Sequence, residues 1–131
     1  MPEKLDPVRN IAERVRAALA SADLAAFGEL LDPDVHWGPP DADVAVCKTR
    51  SQVLAWYQRG RESGRRARVT QIDVIGDRIL VGMVVTGRAG EDSGDAERWQ
   101  VLTVANGRVV DIVGFDERGP AVARAESATR R

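Results

Sequence analysis

The chain has 131 residues, 44% of them apolar and 30% charged, with a formal net charge of −1. That length suits one compact domain, and the apolar content excludes a disordered chain. Near-zero charge with dispersed arginines leaves no basic footprint for nucleic acid or an anionic membrane surface, and one cysteine, Cys47, with one histidine, His36, leaves no internal disulfide and no zinc-ligand spacing.

Asp6-Pro7 supplies a cap and a first helical position, after which Val8, Ile11, Val15, Ala18, Leu19 and Ala22 recur at three- and four-residue intervals, predicting an amphipathic helix. A fresh cap at Ser21-Ala22-Asp23 starts a short second helix through Leu24, Phe27, Leu30 and Leu31, stopped by Pro33. Val35-His36-Trp37 reads as a brief strand, turned by Gly38-Pro39-Pro40, with Val44-Ala45-Val46-Cys47 returning beside it. Thr49-Arg50-Ser51-Gln52 has the spacing of a capping box and opens a third helix. Its apolar face is Val53, Trp56, Tyr57 and Gly60, and Gly64 closes it. Four β-branched strands follow at Val69–Ile75, Ile79–Gly87, Trp99–Ala105 and Val109–Phe115. Gly76-Asp77 and Asn106-Gly107 are two-residue turns, and Gly90–Asp95 is a looser acidic loop. The domain is expected to span residues 1–116, with residues 117–131 an Ala- and Arg-rich tail without an apolar stripe and partly disordered. Apolar runs are short and the N-terminus lacks a hydrophobic signal core, so no membrane association and a cytoplasmic location are expected.

The Asn-Gly turn sets a register for the last hairpin: Ala105 opposite Arg108, Val101 opposite Ile112, Trp99 opposite Gly114. Both resulting faces are largely apolar, so each needs a cover. Helices supply one, and a second copy of the sheet is the simplest cover for the other, which predicts a homodimer through the outer sheet face.

Three stretches carry a family likeness: residues 21–31 leading to Asp34-Val35-His36-Trp37, the helix around Val53-Leu54-Ala55-Trp56-Tyr57, and Asn106-Gly107-Arg108-Val109-Val110-Asp111-Ile112. With the element order, they resemble the nuclear transport factor 2-like superfamily, which includes SnoaL-like polyketide cyclases, ketosteroid isomerases and limonene epoxide hydrolases. The resemblance covers about Ile11 to Asp116 and implies a cystatin-like α+β roll: a cone-shaped, curved antiparallel sheet packed against three helices of the N-terminal half, around a pocket, often dimeric. The chain departs from these enzymes where their acids belong. Trp37 stands where the isomerase base is expected, and Trp99 or Gln100 near the oxyanion donor. The predicted register separates Arg98 and Asp111 from Asp116, so the epoxide hydrolase Asp-Arg-Asp set does not assemble.

Trp37 and Trp99 are candidate pocket walls by position in the resemblance, with core packing the plain alternative. Trp56 and Tyr57 on the third helix, and Val101, Ile112 and Gly114 on the same predicted face as Trp99, complete the expected lining. His36, titrating near neutrality, and Asp116, beside Glu97, are the candidate acid–base groups, against solvated positions for both. Asp111 reads as structural, needing an Arg partner across a dimer interface, and Cys47 as a buried small apolar residue. The sequence therefore points to a domain that binds a small apolar or aromatic ligand in a tryptophan-lined pocket, without cofactor or metal. The alternative is an isomerase, cyclase or dehydratase acting on a polyketide-, steroid- or terpenoid-like substrate.

Overall fold

The spacing of Ile11, Ala12, Val15 and Ala18 closes into α1 (Pro7–Ala20) with these side chains on one buried stripe. The computed structural model describes residues 7–21, 23–39, 46–62, 64, 66–86 and 95–127. The expected Asp6 cap, Ala22, Pro40, Val44-Ala45, Gly87 and the loop at 90–94 lie outside the described residues. Asp23 restarts the chain as α2 (Leu24–Glu29), its carboxylate accepting the Ala26 N–H at 3.0 Å. Leu31 already belongs to β1 (Leu31–Gly38), so Pro33 sits within a strand instead of ending the helix. That strand is an edge of the sheet, where a missing N–H is tolerated. α3 (Arg50–Glu62) ends as expected at Gly64, whose φ of 98° is a left-handed stop.

The meander then runs through β2 (Arg66–Ile75), β3 (Arg78–Thr86), β4 (Asp95–Ala105) and β5 (Arg108–Phe115) to a final helix, α4 (Arg118–Ser127). The five strands lie in the order β1-β5-β4-β3-β2 and are antiparallel except for β1, which runs parallel to β5. α1, α2 and α3 pack on one face, their apolar stripes meeting Ile79, Val81, Met83, Leu102, Val104, Val109 and Ile112. This is the α+β roll the sequence predicts. Each fully buried aliphatic side chain in it stabilises the fold by about 1.5–3 kcal/mol over an exposed one.

The last hairpin departs from its predicted register at one residue. Asn106 and Gly107 both have positive φ, 55° and 80°, as a two-residue turn of this kind requires, and Ala105 faces Arg108. Val104 faces Val109, yet Thr103 faces Asp111, leaving Val110 as an extra residue on β5. Beyond this bulge Leu102 pairs with Ile112 and Trp99 with Phe115, which corrects the expected pairs Val101–Ile112 and Trp99–Gly114. Leu102 and Ile112 therefore face α1–α3, while Trp99, Val101, Val113 and Phe115 face away.

The outer face is covered within the chain. Residues expected to form a tail instead build α4, and Ala121 and Ala125, one turn apart, are buried against a cluster of Leu80, Trp99, Val101, Val113 and Phe115. The Trp99 indole lies against the β3 backbone: a Cβ on Gly82 would sit 2.5 Å from its ring. Its Nε1–H donates to the Glu97 carboxylate at 2.7 Å, and the Arg118 guanidinium stands 5.7 Å above the ring. Asp111 is on this face too, opposite His36 in the β1–β5 pairing. Burial pushes its pKa up, while the charges of Arg124, Arg78 and His36 pull it down. Arg78 also donates to the Arg124 carbonyl at 3.1 Å. The arginine partners expected across a dimer interface thus come from the same chain.

Candidate functional site

α3 has two working faces. Val53, fully buried, and Tyr57 turn toward the sheet, where the Tyr57 ring stacks on Phe27 with centroids 5.3 Å apart and an interplanar angle of 12°. The Tyr57 hydroxyl donates to Gln100 Oε1 at 3.2 Å. Burial pushes its pKa up to about 12, against the pull of that hydrogen bond, so the phenol stays neutral across ordinary pH. Tyr57→Phe removes the only donor the structure gives that oxygen among the described residues. It is expected to lower stability by about 1–2 kcal/mol without changing the fold, read as a drop in urea midpoint at constant m-value.

The second face is the stripe Gln52, Ala55, Trp56 and Arg59, at the i, i+3, i+4, i+7 spacing of one helix side. Across from it, Cys47 forms a bridge to Trp37: the Trp37 N–H donates to the Cys47 carbonyl, and the Cys47 N–H to the Trp37 carbonyl, each at 3.0 Å. Between stripe and bridge opens a partly enclosed cavity of about 250 Å³, lined by Val46, Cys47, Gln52, Ala55, Trp56 and Arg59. Ala55 makes the room, since a larger side chain there would project into it. The helix start is held by a modified box. Thr49 Oγ1 accepts the Gln52 N–H at 3.2 Å, and Gln52 Oε1 accepts the Lys48 N–H at 2.7 Å, one residue earlier than the predicted partner.

Two large apolar side chains are left open beside this cavity, Val46 at 57% and Trp56 at 37% exposure. Trp56 is backed by Trp37, with ring centroids 4.2 Å apart, and touches Tyr57 at 5.5 Å. The Trp37 Nε1–H is buried without an acceptor among the described residues. Cys47 is buried as expected. Burial raises its pKa and the Arg59 charge lowers it, and burial prevails, so the group is a neutral thiol at pH 7.

The other predicted residues disperse. Trp37, Trp56 and Tyr57 come together, and Ile112 and Gly114 are on their side of the sheet. The space at Gly114 is used by Trp37, whose Cζ2 would lie 3.7 Å from an added Cβ, rather than by Trp99. Trp99 and Val101 belong to the opposite, α4-covered face because of the Val110 bulge. His36 is exposed and pairs beside Asp111 on that outer face. Asp116 is 83% exposed at the end of the last hairpin, 2.7 Å from Arg98, a surface ion pair of little energetic weight. Arg98 and Asp116, predicted on opposite faces, meet, while Asp111 is on the other side of the sheet. Sequence reading missed Gln52, Ala55 and Arg59, although their spacing with Trp56 is a legible helical stripe. Among the described residues no group of three or more His, Cys, Asp or Glu side chains is placed to hold a metal ion, and no helix is long and apolar enough to cross a membrane.

A family model described as the SnoaL-like domain matches residues 12–112. Comparison with curated proteins gives no significant match. Solved structures do align. An NTF2-like protein of unknown function from Mesorhizobium loti is 20% identical over 90% of this chain and 98% of its own, with a TM-score of 0.71. A protein provisionally named a ketosteroid isomerase, from Kribbella flavida, is 20% identical over 86% and 79% of the two chains, with a TM-score of 0.69. TerC, co-crystallized with polyporic acid, is 13% identical over 93% and 99%, with a TM-score of 0.67. At these identities the likeness to the solved structures is one of fold.

Proposed function

Because the chain belongs to the SnoaL-like domain family, we propose that it binds a small aromatic molecule, seated between α3 and the Cys47 bridge against the face of Trp56. The observation that carries this reading is Trp56 itself: a large indole on a charged helix, open to a concave space and held from behind by Trp37. An exposed aromatic anchor with a rigid backing gains contact area on binding at little entropic cost. At about 250 Å³ the cavity is below the 300–1,000 Å³ usual for drug-sized ligands, which favours a one- or two-ring molecule over a steroid.

Binding is favoured over acid–base turnover by the positions of His36 and Asp116, neither of which lines the cavity. The cavity draws on one chain, and α4 occupies the middle of the outer sheet face, so ligand uptake on this reading needs no second copy.

The test is tryptophan fluorescence titration with mono- and bicyclic aromatics. Saturable quenching is expected in the wild type and at least a tenfold weaker midpoint in Trp56→Leu, whose partial exposure spares the fold. No saturable change with any of the panel, together with an unchanged melting temperature, would remove this reading.

A further inference from the structure

The cavity has a chemical polarity that its shape alone does not express. Arg59 is in the last turn of α3, one helical turn beyond Trp56, so indole and guanidinium stand side by side on one wall. No described carboxylate pairs with Arg59, although Gln58 on the next position bonds Glu62, and no Asp or Glu is among the lining residues. Arg59 and Cys47 both line the cavity, and the Arg59 charge lowers the thiol pKa against the stronger effect of burial. That thiol is neutral, so nothing in the described lining answers the positive charge. An arginine without a carboxylate, next to an aromatic face, is a ready receptor for a planar anion: the ring stacks on the indole and the acid takes a two-pronged hydrogen bond.

Resting on the binding reading above, we infer that the ligand is an aromatic carboxylic acid or a comparably planar anion, its ring on Trp56 and Val46 and its anionic group on Arg59. Neutral apolar molecules of the same outline bind more weakly. Because Arg59 is exposed, the charge contributes through a screened contact, and its effect is sensitive to salt.

The experiment compares 2-naphthoate with its neutral isostere 2-naphthamide on the full chain, by calorimetry and tryptophan fluorescence, in the wild type, Arg59→Gln and Arg59→Lys. Expected is a preference of about tenfold for naphthoate in the wild type, as a two-pronged charge-assisted contact weakened by solvent screening gives. Arg59→Gln should bring the naphthoate-to-naphthamide affinity ratio to about one, Arg59→Lys should keep part of the preference, and raising salt should erode it. Equal affinity for the two probes, with both lost in Trp56→Leu, overturns the charge inference and leaves the aromatic site standing. A preference for naphthoate that survives Arg59→Gln also overturns it. Absence of saturable binding by either probe overturns both readings together.

Discussion

Trp99→Ala is expected to lower the stability of this chain by about 3–5 kcal/mol, the range for emptying a buried tryptophan site. The indole is 3% exposed and central to the outer cluster, between the β3 backbone and the two buried alanines of α4. Its removal leaves a void that a short helix anchored by alanines has little side-chain volume to fill. The contact with Gly82 makes this testable as a cycle. In the wild type Gly82→Ala drives a Cβ to 2.5 Å from a rigid ring and should cost about 1–3 kcal/mol, because backbone on one side and α4 on the other limit how far the indole moves. In the Trp99→Ala background that cost should largely vanish. Urea unfolding of the four proteins gives the coupling energy, and strict additivity would show that the indole is not what Gly82 makes room for.

Ending the chain after Asp116 is the second large perturbation. It removes α4 and exposes Leu80, Trp99, Val101, Val113 and Phe115 as one apolar patch on a twisted sheet. We expect a fall in melting temperature of more than about 10 °C, since several side chains each lose burial energy and about 1 kcal/mol corresponds to several degrees at this size. We also expect self-association. The mass of the truncated chain by light scattering should rise with concentration across the micromolar range, while that of the full chain stays constant. A truncated chain that remains small and melts unchanged would mean that α4 is not the cover its contacts describe.

The sequence made most of the scaffold legible, for identifiable reasons. The α1 stripe, the Asp23 cap, the Gly64 stop and the Asn106-Gly107 turn are local signals, each set by a few neighbouring residues. The Val110 bulge is not. It falls inside an uninterrupted Val109-Val110-Asp111-Ile112-Val113 run with no glycine to mark it, and it is fixed by what β4 and the helices need to bury. That single residue moved Trp99 and Val101 out of the expected pocket. α4 escaped notice because its buried stripe is alanine, whose small side chain gives almost no hydrophobic contrast against Arg118, Arg124 and Glu126. The candidate cavity was half visible. The sequence places Trp56 with Val53 and Tyr57 on one apolar face of α3, whereas it stands 37% exposed on the cavity side against Trp37, and that contact is tertiary.

The parallel pairing of β1 with β5 also bears on how the chain comes to be folded. Leu31 pairs with Val109 and Trp37 with Ile112, so apart from its bridge to Cys47 the first strand has no strand to pair with until residues 109–113 have been synthesised. Up to that moment the apolar stripes of α1, α2 and α3 have only β2, β3 and β4 to meet them, and β1 is held to the sheet by no strand. Closing so long a loop is slow relative to forming the local helices and hairpins, so the β1–β5 seam is among the last features to form. A nascent chain stalled before Val109 would display the unpaired edge of β1 to chaperones and proteases.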